Sequence, residues 1–95
     1  MAGDEATLVL KTVKIDGRAA QLFAFPDRLL LVDTTGSRTI PIRHVARIAH
    51  KAGLRTGRIV LTTTDGEEMV IRGLRARDTP TAYRILVRLA TEANR

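Results

Sequence analysis

The alternation of hydrophobic and polar positions changes rhythm once along this chain. Up to residue 72 the apolar residues come in short runs broken by turn formers. Residues 7–15 gather Leu8, Val9, Leu10, Thr12, Val13 and Ile15, a composition that favours a strand. Asp16-Gly17 follows, and it predicts a two-residue hairpin, because a type I′ turn needs positive φ at both central positions. A second strand is expected over residues 18–25. Pro26-Asp27 punctuates, and a third strand covers residues 28–34. After the turn at Thr35-Gly36-Ser37, residues 38–42 form a short segment containing Pro41. Proline cannot donate to a ladder, so this segment is read as an edge or bulged strand. Residues 45–51 fit a strand or a helix by pattern, and Gly53 and Gly57, closing the segment quickly, favour the strand. Residues 58–64 are β-branched, Asp65-Gly66 gives a second hairpin signal, and residues 68–72 return.

The last stretch keeps a different period. Thr79-Pro80 reads as an N-cap followed by proline at the first helical position. Ala82, Ile85, Leu86, Leu89 and Ala93 then recur at three- and four-residue spacing, while Arg84, Arg88, Thr91 and Arg95 fall on the opposite side of the wheel. The pattern predicts an amphipathic helix whose apolar stripe lies on the strands. The fold class expected is therefore mainly β: a partly open barrel of about seven antiparallel strands capped by one C-terminal α-helix. The whole chain, 1–95, is read as a single domain, with residues 1–5 loose.

Composition narrows the function. A chain of 95 residues buries only about 60–65% of its extended surface, so its core is small and a deep cleft is hard to carve from it. There is no Cys, which removes disulfides, thiolate metal sites and thiol nucleophiles. The longest apolar runs, residues 22–25 and 29–32, fall far short of the roughly 20 needed for a membrane helix. No charged and apolar leader pattern opens the sequence, so a cytoplasmic protein is expected. Aromatics make up 3%, with Phe23 and Phe25 assigned to the core, leaving no stacking platform for single-stranded nucleic acid.

Candidate catalytic groups are sparse. Ser37, the one serine, stands in an expected turn with no base beside it. His44 and His50 share parity on the 42–51 segment, but two histidines without a third ligand make a poor metal site. Asp65, Glu67 and Glu68 flank a hairpin turn, where solvated acids normally sit, and nothing nearby would shift a pKa for general acid work. The glycines form no phosphate loop. We therefore expect a non-enzymatic protein with no catalytic residues, no metal and no cofactor.

Charge offers the better candidate. The chain carries 16 Lys and Arg against 10 Asp and Glu. Arg38, Arg43, Arg47, Lys51, Arg55 and Arg58 fall between residues 34 and 64 with no acid among them, so the entire excess resides in that segment. In a strand over residues 45–51, parity puts Arg43, Val45, Arg47, Ala49 and Lys51 on one face and Ala46 and Ile48 toward the core. Arg58 is expected across the next hairpin beside Lys51. The candidate binding residues are thus Arg43, Arg47, Lys51, Arg58 and Arg55, with Arg84 and Arg88 as a secondary basic face on the helix. Such a stripe suits phosphates, an anionic membrane surface or an acidic protein partner; a solvated outer face is the plainer reading. The first strand, guarded only by Lys11 and Lys14, is the edge through which copies of the chain would pair into a homo-oligomer.

FPDRLLLVD at residues 25–33, TIPIRHVARI at 39–48, AGLRTGRIVL at 52–61 and the terminal helix together resemble the bacterial branch of the pleckstrin-homology-like (PH-like) domains, over about residues 13–92. Leu86 or Leu89 stands where that family carries a helix tryptophan. The resemblance implies a seven-stranded barrel closed by a C-terminal helix and an interaction or oligomer-forming module with a protein partner. Lys14 and Arg18 flank the first hairpin turn, but a two-residue turn is too tight to wrap an inositol headgroup. IDGRAAQLF at 15–23 and MVIRG at 69–73 are more distantly similar to the Sm-like barrels, which carry their helix before the strands. That similarity implies the alternative, a small basic β-barrel binding nucleic acid without sequence preference.

Overall fold

Both residues of the first turn take the conformation that a two-residue hairpin demands: φ is 52° at Asp16 and 85° at Gly17. This turn joins β1 (Leu8–Ile15) to β2 (Arg18–Ala24), and antiparallel neighbours continue outward from it in the computed structural model, which describes residues 5–94. The expectation of looseness for residues 1–4 lies outside the described residues. β3 (Arg28–Asp33) and β4 (Gly36–Pro41) follow. A single 3-10 turn, Ile42–His44, leads to β5 (Val45–Ala52), then β6 (Thr56–Thr63), β7 (Glu68–Arg75) and α1 (Thr79–Ala93). The strand order is β4-β3-β2-β1-β7-β6-β5. The result is a curled half-barrel sheet of seven antiparallel strands with one C-terminal helix, the fold class read from the pattern.

The concave side holds the core. Leu22, Leu29, Ile59 and Ile71 from four strands meet Leu86 of α1, all without solvent exposure. Ala82, Leu86 and Leu89 form the buried stripe of the helix, and Arg84 and Arg88 are exposed, as the helical period requires. Full burial of one such leucine contributes about 1.5–3 kcal/mol.

Three bulges correct the simple alternation. At β5, Val45 pairs with Thr63 and Arg47 with Thr62, so Ala46 is an extra residue that switches parity. Val45 is consequently buried, not outward with Arg47 as a continuous strand would have it. At β7, Leu74 pairs with Gly57 and Arg72 with Arg58, leaving Gly73 as the extra residue at φ 88°. A β-carbon there would meet Thr12 O at 3.4 Å. This bulge carries the strand three residues beyond the expected end and returns Leu74 to the core, with Arg72 and Arg75 both exposed. The third bulge, between Leu10 and Val13, bends β1.

Further corrections concern single positions. Thr79 is not an N-cap. Its hydroxyl donates to Arg75 O at 2.9 Å, and its side chain is buried against Gly57, so Asp78 occupies the cap without a side-chain hydrogen bond. Phe25 is in the core, but Phe23 pairs with Val9 and Leu30 and is half-buried on the outer face. β1 is not an edge strand: it lies between β2 and β7, because the turn at Asp16 docks on β7 through hydrogen bonds between Asp16 and Val70 in both directions. The sheet ends in β4 and β5.

Candidate basic surface on the outer sheet face

Strand register decides which cations meet. Lys51 pairs with Arg58, Arg58 with Arg72, and Arg72 with Lys14. All four are exposed. Neighbouring strands lie about 4.8 Å apart, so the four form one transverse row about 15 Å long across β5, β6, β7 and β1. The alternation that exposes them buries their neighbours: Ile59 and Ile71 are fully buried, and Val13 and Ile15 flank Lys14 from the core side. Like charges directly opposite one another destabilise a sheet. Here three successive cross-strand pairs are like-charged. The ion pairs among the described residues are Arg28–Asp27 at 2.8 Å and Arg38–Glu67 at 2.6 Å, and neither involves the row.

The same end of the sheet gathers more positive charge. Arg75 pairs with Thr56 one step beyond the row, Arg55 lies in the β5–β6 turn, and Arg77 follows β7. The connection is tied together, since Ala76 N donates to Arg55 O at 2.9 Å and Gly53 N to Thr56 O at 2.8 Å. A shallow depression of about 250 Å³ lies between the turn and the row, with Lys51, Arg58 and Arg72 in its wall.

Lys51 and Arg58 are therefore neighbours, as expected. Arg47 is also exposed and outward, but Ala49 separates it from Lys51 along β5. Arg43 is off the strand altogether, in the 3-10 turn anchored by buried Ile42. Of the stripe expected along one strand, Arg47 and Lys51 share the outward face of β5 and Arg43 leaves it, while Lys51 also stands in a row across four strands. Arg84 and Arg88 belong to the helix on the concave side, away from this face. Sequence reasoning passed over Lys14 and Arg72, which register alone unites with the others. It also passed over Arg75 because it ended the strand at Arg72. The signal available was Arg-Gly-Leu-Arg at residues 72–75, where a glycine between two outward arginines permits a bulge.

Other polar groups are occupied locally. His44 is in the 3-10 turn, whereas His50 is exposed on the helix side of β5, opposite Ile59 and with its ring 4.2 Å from that of Tyr83, so the two histidines do not form the one-faced pair expected. Among the described residues no group of three or more His, Cys, Asp or Glu is placed to hold a metal ion. Ser37 is exposed in β4 and pairs with Val32. A hollow of about 430 Å³ at the β1–β2 and β3–β4 turns has Ile15, Leu31 and Met69 at its base, and its rim balances Asp16 and Asp33 against Arg18 and Arg38. Arg38 is engaged by Glu67, whose hydrogen bond raises its pKa further above the usual arginine value. Asp33 accepts hydrogen bonds from the hydroxyl and the N–H of Thr35, which hold its carboxyl below the ordinary 3.8. Asp65 is lowered likewise, first by the Thr63 hydroxyl and then by the Glu67 N–H. Among the described residues no helix is long and apolar enough to cross a membrane.

No protein-family model matches the chain, and no curated protein matches it. Among solved structures it is similar to the crystal structure of the C-terminal domain of an unknown protein from Leishmania infantum, with a TM-score of 0.74 and 15% identity over 95% of this chain and 87% of that one. At that identity the likeness concerns the fold alone.

Proposed function

We propose that the protein is a non-enzymatic PH-like interaction module of the bacterial type, acting in the cytoplasm, whose outer sheet face binds an anionic partner. The observation that carries the reading is the row Lys51–Arg58–Arg72–Lys14, in which every adjacent pair is like-charged and, among the described residues, no acid forms an ion pair with it. A purely solvated face has no need for like charges in register, and their repulsion costs stability. An anionic ligand spanning the row removes that repulsion on binding and gains several contacts at once. The PH-like assignment is supported by the antiparallel order closed by a C-terminal helix. The alternative, a nucleic-acid binder, would use the same row on the phosphate backbone, with little sequence preference.

Retention on an immobilised polyanion tests the reading. The variant carrying Lys51→Thr, Arg58→Thr and Arg72→Thr is expected to elute at clearly lower salt than the wild type. The helix variant Arg84→Glu with Arg88→Glu is expected to shift less, although it changes more charge. Equal elution of wild type and row variant would contradict the proposal. Retention of an acidic protein but not of duplex DNA would favour a protein partner over the nucleic-acid alternative.

A further inference from the structure

The β5–β6 turn carries a side chain that neither the core nor the basic row explains. Leu54 is fully exposed, at 102% of its reference area, whereas the other exposed large hydrophobic residue among the described residues, Val9, reaches 40%. Its turn is held at both shoulders: Gly53 bonds Thr56, and Arg55 bonds Ala76 of the β7–α1 connection. A leucine is thus presented on a braced tip. Immediately behind it come Arg55, then Arg75 beside Thr56, then the row of four, with Arg77 close by on the chain. Asp78, which heads the helix, follows Arg77 directly.

We propose that this end of the molecule seats on an anionic lipid bilayer, with Leu54 entering the boundary between headgroups and acyl chains and the cations behind it lying on the lipid phosphates. The inference rests on the reading of the basic row as a binding surface and specifies its ligand. A soluble polyanion offers phosphates but nothing for an isolated leucine. An anionic bilayer offers both, a negative surface for arginine and lysine and an apolar layer just beneath it. Arginine and lysine suit that depth because their stems lie along apolar surface while their charges stay among the headgroups. The order along the axis, leucine at the tip and cations behind, matches the order of layers met on entering the membrane.

Vesicles of phosphatidylcholine, with and without phosphatidylglycerol, test this in co-sedimentation. The wild type is expected to bind the phosphatidylglycerol vesicles and not the neutral ones. Leu54→Ser is expected to weaken that binding roughly tenfold or more, with an unchanged unfolding midpoint and unchanged retention on a soluble polyanion such as polyphosphate. The row variant is expected to lose both. Because the chain has no tryptophan, Leu54→Trp supplies a lone reporter whose emission should move to shorter wavelength on phosphatidylglycerol vesicles. If Leu54→Ser binds those vesicles like the wild type, or the Leu54→Trp emission stays put, the lipid assignment is overturned. Binding of polyphosphate or duplex DNA without binding of vesicles overturns the lipid assignment while leaving the basic row as a binding surface. Failure of the wild type to bind any of these overturns both.

Discussion

Two residues show how closely the half-barrel and its helix are fitted. A β-carbon at Gly57 would fall 2.1 Å from the Thr79 hydroxyl and 2.8 Å from its Cβ. Glycine is needed there for the approach of the helix to β6, not for its backbone angles. Gly57→Ala is expected to destabilise by about 2 kcal/mol or more, read by denaturant unfolding; an unchanged midpoint would mean that the helix start does not sit where described. The carboxylates of Asp33 and Asp65 act through pH. Both have folded pKa values below the ordinary 3.8, so what they contribute to stability is complete above that value and is lost as pH falls through the lower folded ones. Both groups are exposed, and their share is small. Asp33→Asn should therefore lower stability slightly at neutral pH and flatten the acid limb of the stability profile, its difference from the wild type vanishing as pH falls through the lowered folded value.

At the scale of elements, helix and sheet make opposite predictions. Leu86 is fully buried between α1 and the strands, and Leu86→Ala should cost about 3 kcal/mol. Arg88→Ala, on the exposed side, should stay within about 0.5 kcal/mol. In the sheet, Arg58 stands between Lys51 and Arg72. Arg58→Thr removes two like-charged cross-strand contacts and should stabilise the fold by roughly 0.2–1 kcal/mol. A destabilised Arg58→Thr would show that the row is internally neutralised. The strands were legible in the sequence because turn residues punctuate them: Asp16-Gly17, Pro26-Asp27 and Asp65-Gly66 all fall in connections. What local pattern could not supply was the bulges. Two of them add one residue, at Ala46 and at Gly73, and reverse parity there, which is why Val45 was expected outside and β7 was ended early.

For the whole molecule, the separation of faces matters most. Helix and core occupy the concave side, while the outer side carries the basic row at one end and the half-buried Phe23 and Leu30 elsewhere. The cations of the central segment were visible in the sequence, and the Lys51–Arg58 pairing followed from its hairpin. Their union with Arg72 and Lys14 depends on β7 lying against β1, a long-range pairing that no local signal encodes. The claim that this row binds an anionic partner is tested most directly by the salt dependence of binding to a short DNA duplex, used as a polyanion of defined charge. For duplex DNA the logarithm of the binding constant falls against the logarithm of salt concentration with a slope of about −0.9 per phosphate contact. Replacing Lys51, Arg58 and Arg72 by threonine should reduce the magnitude of that slope by about 2.7, with the fold intact. An unchanged slope in a folded variant would contradict the account and return the row to a solvated face.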